Sequence, residues 1–91
     1  MVIIASRLIP TSTTVGTTAT VIPATAASGR LSIAVFNNGS NTVFLGDSGV
    51  TTSTGFPLEA GASQSIDLGP QALLYGRTST GSSDVRSLEG V

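Results

Sequence analysis

The chain has 91 residues and a net charge of −1, and only 10% of its residues are charged. It contains no Cys and no His, which excludes disulfides, zinc sites and every mechanism that needs an imidazole base. Four Arg and no Lys cannot form the large basic patch that nucleic-acid binding requires, and no apolar run is long enough to cross a membrane. We therefore expect no cofactor, no metal, no nucleic-acid partner and no membrane partner.

The small size of the chain predicts association. A single domain of this length buries only about 60 to 65% of the surface that its unfolded chain exposes, so a monomer without a staple is marginally stable. Ser and Thr occupy 26 positions and cover the surface with small hydroxyl groups, which cost little to desolvate against a neighbour. We expect a homo-oligomer, with a trimer as one option, or a subunit of a larger assembly.

The N-terminal segment is apolar and differs in composition from the rest of the chain. Residues 1–10 carry several aliphatic side chains, and this apolar segment ends at Pro10. We expect it to be an N-terminal arm or an edge strand, and we expect residues 11–91 to form a single β-domain. The segment lacks the basic region of a secretory signal, which indicates synthesis in the host cytoplasm. Further along the chain, Thr18, Thr20 and Ile22 alternate with Ala19, Val21 and Pro23, a pattern that predicts a strand over residues 17–22, ended by Pro23.

The stretch from Arg30 to Gly46 predicts a β-hairpin, because two apolar runs flank a cluster of Asn, Gly and Ser. An odd-numbered turn over residues 39–41 brings five aliphatic side chains to one face, whereas an even-numbered turn scatters them. We expect this face to be core: Leu31, Ile33, Val35, Val43 and Leu45. The opposite face, with Phe36 and Phe44, is either a second buried layer or a contact surface.

The second half of the chain predicts a long loop, with or without a short strand inside it, and three further short strands. Residues 47–61 are rich in Gly, Ser and Thr, and Phe56–Leu58 forms the apolar anchor of this loop, which either plugs the core or contacts a partner. Strands are expected over residues 63–68, 72–77 and 84–89. The whole pattern predicts an all-β fold, an antiparallel β-sandwich or small barrel of six to seven short strands with no substantial helix.

The motifs that suggest chemistry have structural explanations. Residues 46–49 read GDSG, as around the nucleophilic Ser of trypsin-like proteases, but no His or Lys is present to take the proton. We interpret Asp47 as a turn residue whose carboxylate accepts backbone N–H groups. Five carboxylates lie far apart without calcium-loop or glycosidase spacing: Asp47, Glu59, Asp67, Asp84 and Glu89. We predict that the protein is not an enzyme.

A resemblance to a known family covers about two thirds of the chain. The matching features are SIAVFNNGSNTVFLGDSGVTTSTGFPLEAG, SIDLG, ALLYG and DVRSLE, within residues 30–89. This part of the chain resembles a recurrent small domain of tailed-bacteriophage structural proteins, found in head and tail proteins alike. The resemblance implies an all-β virion component and carries no catalytic residues. Residues 1–29 fall outside the match.

A chain of 91 residues from Met1 is the size that we expect of a capsid decoration, or cement, protein, which reinforces a shell by burying surface between its subunits. Its partners would be the major capsid protein or other virion proteins, and its location the capsid surface rather than the tail. The expected contact residues lie in the arm and the long loop: Val2, Ile3, Ile4, Leu8, Phe56 and Leu58. The alternatives are a tail, baseplate or fibre component and, in another class, a glycan-binding module.

Overall fold

The computed structural model describes residues 7–69 and 71–91, and these residues form eight β-strands and no helix. The bounds of the strands, in chain order, are β1 Leu8–Val15, β2 Thr20–Ile22, β3 Ser32–Asn37, β4 Val43–Gly46, β5 Phe56–Leu58, β6 Ser63–Asp67, β7 Leu74–Arg77 and β8 Ser83–Gly90. The predicted all-β class is confirmed. The predicted count of six to seven strands was too low. β5 lies inside residues 47–61, where the long loop was predicted with or without a short strand.

The strands form two four-stranded antiparallel sheets. The first sheet has the order β1-β8-β3-β6, and the second has the order β2-β7-β4-β5. Both sheets contribute to one apolar cluster, so the arrangement is sandwich-like with the core between the sheets. The buried members of this cluster are Val15, Ile22, Ile33, Val35, Val43, Leu45, Leu58, Leu74 and Val85.

The predicted hairpin of β3 and β4 is wrong. β3 pairs with β6 and β8 in the first sheet, whereas β4 pairs with β5 and β7 in the second. The chain therefore crosses from one sheet to the other at residues 38–42. Most of the expected core face survives this error, since Ile33 and Val35 point into the sandwich from one side and Val43 and Leu45 from the other. Leu31 was predicted for the core as well, but it precedes β3, is only half-buried and lies outside the core cluster. Phe36 is exposed, so its face is not a second buried layer.

Asn37 explains why the chain crosses between the sheets. Its side chain is fully buried and its amide nitrogen donates to the carbonyl oxygens of Asn41, at 2.7 Å, and Leu58, at 2.9 Å. Its amide oxygen accepts hydrogen bonds from Ser83 Oγ, at 2.6 Å, and from the N–H of Gly39, at 3.1 Å. These four bonds satisfy the buried amide and hold the crossing segment against both sheets.

The first strand extends across the predicted domain boundary. β1 runs from Leu8 to Val15, so the division at residue 10 falls inside a strand that pairs with β8. Pro10 does not stop β1, because the mutual N–H to C=O bonds of Arg7 and Val91 set an alternation in which the nitrogen of Pro10 faces away from β8. Pro23 ends β2, as predicted, although β2 begins only at Thr20.

A buried ion pair closes the opposite end of the sandwich from Asn37. Arg30 and Glu89 are each 1% exposed, and Arg30 Nη1 donates to Glu89 Oε2 at 3.0 Å. Glu89 Oε2 also accepts the N–H of Ala27 at 3.1 Å, while Arg30 Nη2 donates to the carbonyl oxygen of Ala72. The pair thus joins the loop before β3, the end of β8 and the segment before β7.

Candidate interaction surface

The structure describes three of the six predicted contact residues, namely Leu8, Phe56 and Leu58. Val2, Ile3 and Ile4 lie outside the described residues. Leu8 begins β1 and is 65% exposed, and Phe56 begins β5 and is 57% exposed. Both side chains are accessible to a partner.

Leu58 belongs to the core and is not a contact residue. It pairs with Val43 and is only 2% exposed, so a partner could not reach its side chain in the folded protein. The alternative in which the loop anchor plugs the core is correct for Leu58. Phe56, two residues earlier in the same strand, pairs with Leu45 and is exposed.

An apolar cleft opens beside Phe56, between the edges of the two sheets. It has a volume of about 240 Å³ and is lined by Leu45, Gly46, Phe56, Gln64, Ile66 and Leu74. The cleft exists because β4 and β5 are only four and three residues long and leave the edge of the first sheet partly uncovered. Pockets for drug-sized molecules measure roughly 300 to 1,000 Å³. This cleft is smaller and fits one or two side chains of a protein partner better than a cofactor.

The outer face of the first sheet carries a second set of exposed apolar side chains. Leu8, Phe36 and Leu88 are 65%, 39% and 39% exposed. Strand pairing brings Leu88 between Pro10 on β1 and Ala34 on β3, so apolar groups lie side by side across three strands. Sequence reasoning did not choose Leu88 as a contact residue, although its alternation with Val85 already indicated an outward side chain.

Two ionic groups on this outer face, Arg86 and Asp84, are paired with each other. Arg86 Nε donates to Asp84 Oδ2 at 2.9 Å, and Asn38 Nδ2 donates to the same oxygen at 3.1 Å. The hydrogen bond from Asn38, followed by the one from Arg86, lowers the pKa of Asp84 below its ordinary value of 3.8. These two charges compensate each other, and the exposed carboxylate of Asp67 on β6 adds one negative charge to the same face.

Asp47 holds the GDSG motif in a turn. Asp47 Oδ1 accepts the N–H of Gly49 at 3.0 Å, and the carbonyl oxygen of Asp47 accepts the N–H of Val50 at 3.0 Å, so the interpretation of Asp47 as a turn residue is confirmed. Residues 7–69 and 71–91 contain no group of three acidic side chains that could hold a metal ion. This same part of the chain also has no helix of the length and apolarity needed to cross a bilayer.

Comparisons with protein-family models, with curated proteins and with solved structures find no match to this chain. The resemblance to bacteriophage virion domains therefore stays a prediction. The function has to be argued from the surface of the molecule.

Proposed function

We propose that the protein is a structural virion protein of a tailed bacteriophage, a capsid decoration protein that stabilises the head through contacts with neighbouring subunits. The observation that carries this proposal is the exposure of five large apolar side chains on a chain in which only 10% of the residues are charged. These side chains are Leu8, Phe36, Phe56, Leu73 and Leu88. The resemblance of residues 30–89 supplies the virion context.

The arrangement of these side chains favours burial against a broad neighbour. Single exposed apolar residues are normal on monomers, but three of these five lie on one face of one sheet. A specific contact buries about 800 Å² per partner, which is roughly a sixth of the 5114 Å² accessible surface of this protein. The outer face of the first sheet contains β1 and β8, which have eight residues each, and is the proposed site of this contact.

The proposed partner is the major capsid protein or another virion protein, and the capsid surface is the proposed location. A tail, baseplate or fibre component has the same physical requirements and differs in copy number. Quantitative mass spectrometry of purified virions, with separated heads and tails, distinguishes them. Hundreds of copies on heads support decoration, a handful on tails supports the alternative, and absence from virions contradicts both.

The contact surface can be tested with a double variant. Phe36→Ser with Leu88→Ser removes two apolar side chains from the outer face of the first sheet, and we expect its occupancy on heads to fall at a protein concentration that saturates with the wild type. Leu73→Ser is the matched control, since Leu73 is 46% exposed and lies outside that face. Equal occupancy for the double variant and the control would contradict this surface as the site of attachment.

The cementing role has its own measurement. Heads that lack the protein should open at a lower temperature than heads to which it has been added back. Equal opening temperatures would contradict a stabilising role even if the protein binds.

A further inference from the structure

The four edge strands of the two sheets are not equally protected. An edge strand exposes unpaired N–H and C=O groups that can pair with another chain, and Pro residues or short length prevent such pairing. β1 contains Pro10, β5 contains Pro57, and β2 is three residues long and ends before Pro23. β6, with the sequence SQSID, contains no Pro and runs for five residues. It is the least protected edge.

Two backbone bonds show which groups of β6 face outward. Leu68 N–H donates to Leu31 C=O and Asn37 N–H donates to Ala62 C=O, each at 3.0 Å, so the even-numbered residues of this segment direct their backbone groups toward β3. The N–H and C=O groups of the three odd-numbered residues of β6 therefore face the open edge. These residues are Ser63, Ser65 and Asp67.

The open edge of β6 borders the apolar cleft. Gln64 and Ile66 alternate with the outward-facing positions, and their side chains form one wall of the cleft, opposite Leu45 and Phe56. A strand that paired with β6 would continue the first sheet, and its inward side chains would enter the cleft. Outward-facing main-chain groups and a pocket for alternate side chains are the two requirements of strand addition, and both are present at this edge. The Ser65 carbonyl oxygen accepts a hydrogen bond from Gln64 Nε2 at 3.3 Å, which an added strand would replace.

We propose that β6 binds the apolar N-terminal run Val2–Ile4 of a second copy of this chain, in main-chain pairing. The run is aliphatic and ends in two Ile residues, a composition that suits a strand and an apolar cleft. Its side chains are of the size that the cleft accepts. The pairing would provide the association that a chain without disulfides or metal ligands needs for stability.

Chain length prevents the whole N-terminal run of the same copy from pairing with β6. Arg7 is bonded to Val91 beside β1, and β1 and β6 are opposite edges of a four-stranded sheet. The two edges are about 14 Å apart, and an extended chain advances about 3.4 Å per residue. Crossing the sheet would use about four of residues 1–6 and leave about two to pair with β6. A second copy has no such restriction.

Sedimentation velocity over a range of concentrations tests the proposal without any virion particle, so its outcome is independent of the proposed function. We expect the wild type to associate, and the deletion of residues 2–6 and the Ser65→Pro variant to associate about tenfold or more weakly. Ser65→Pro removes an outward-facing N–H and leaves the bonds to β3 intact. Ser12→Pro is the matched control, because it removes an outward-facing N–H from β1, and we expect it to associate as the wild type does.

Circular dichroism and thermal unfolding identify any variant that fails to fold. For folded variants, the synthetic peptide MVIIASR added to the deletion variant provides a direct measurement, and we expect amide NMR shifts to concentrate on β6 and around the cleft. A wild type that stays monomeric, a Ser65→Pro variant that associates normally, or peptide shifts elsewhere would overturn the proposal. Association that survives the deletion but not Ser65→Pro would also overturn it, since β6 would then bind another segment.

Discussion

Buried polar side chains are paired differently at the two ends of β8. At one end Glu89 forms a buried ion pair with Arg30, and at the other end Ser83 joins a neutral network around Asn37. The neutral network satisfies both atoms of the Asn37 amide with four hydrogen bonds. The ion pair leaves Arg30 Nε without a hydrogen-bond partner among the described residues.

This difference predicts at which end of β8 a single substitution should lower the stability of the fold most. A buried charge that loses its partner costs more than a buried amide that loses one, because water no longer solvates the remaining charge. The charged end should therefore respond more strongly to single substitutions, although it joins fewer groups. Substitutions at the two ends of β8 test this comparison.

The largest effect is expected for Glu89→Ala. It leaves the Arg30 guanidinium buried and unpaired, and we expect the free energy of unfolding to fall by about 3 to 5 kcal/mol in urea denaturation. Glu59→Ala is the control, because Glu59 is an exposed carboxylate that bonds only to the Thr42 hydroxyl, and it should change stability by about 0.5 kcal/mol or less. A loss below about 1 kcal/mol for Glu89→Ala would contradict the importance of this pair.

Replacing both partners sharpens the test. Arg30→Met with Glu89→Leu removes both buried charges at similar volume, and we expect a stability near that of the wild type, or higher by about 1 to 4 kcal/mol. Such recovery would show that the cost of Glu89→Ala arises from the unpaired charge rather than from lost packing. A double variant as unstable as Glu89→Ala would indicate that the joined loops need these hydrogen bonds themselves.

Asn37→Ala should cost less than Glu89→Ala. The substitution leaves the Ser83 hydroxyl and two carbonyl groups without their partner, and we expect a loss of about 1 to 3 kcal/mol in the free energy of unfolding. Asn41→Ala is the control, since the Asn41 amide makes a single exposed bond to the Ser82 carbonyl and should contribute about 1 kcal/mol or less. A larger loss for Asn37→Ala than for Glu89→Ala would reverse the comparison of the two ends.

The smallest effect on stability is expected for the exposed ion pair of Asp84 and Arg86, which lies between the two ends of β8. The folded-state pKa of Asp84 is lowered, mainly by the hydrogen bond from Asn38 and next by Arg86, so Asp84 adds stability above its unfolded pKa near 3.8. This contribution should disappear as the pH falls through the folded pKa. Urea denaturation of the wild type and Asp84→Asn should show a small difference at pH 7 that vanishes at the lowest pH. A difference that grows on acidification would contradict this sign.

Several features of the fold could be predicted because they depend on local patterns. Alternation of apolar residues predicted the all-β class and the inward direction of Ile33, Val35, Val43 and Leu45. The residue types around Asp47 predicted its turn, since an Asp carboxylate bonds to backbone groups two residues ahead. These features require no knowledge of which strands are neighbours.

The alternation of side chains along β5 did not predict which of its two contact candidates would be buried. Phe56 and Leu58 have the same parity on β5, yet one is exposed and the other is in the core. Parity alone does not distinguish the two positions, because it does not say which other elements cover each side chain. The alternation of side chains along a strand therefore could not predict that Phe56 is exposed and Leu58 is buried.

The sequence by itself determined which side chains face inward, because a strand alternates its side chains regardless of what it pairs with. Only the tertiary structure decided which strands pair. A hairpin of β3 and β4 and a crossing between two sheets bury the same side chains, so the pattern could not distinguish them. The tertiary structure also brought together Arg30 and Glu89, which lie 59 positions apart, and left the edge of β6 open beside an apolar cleft.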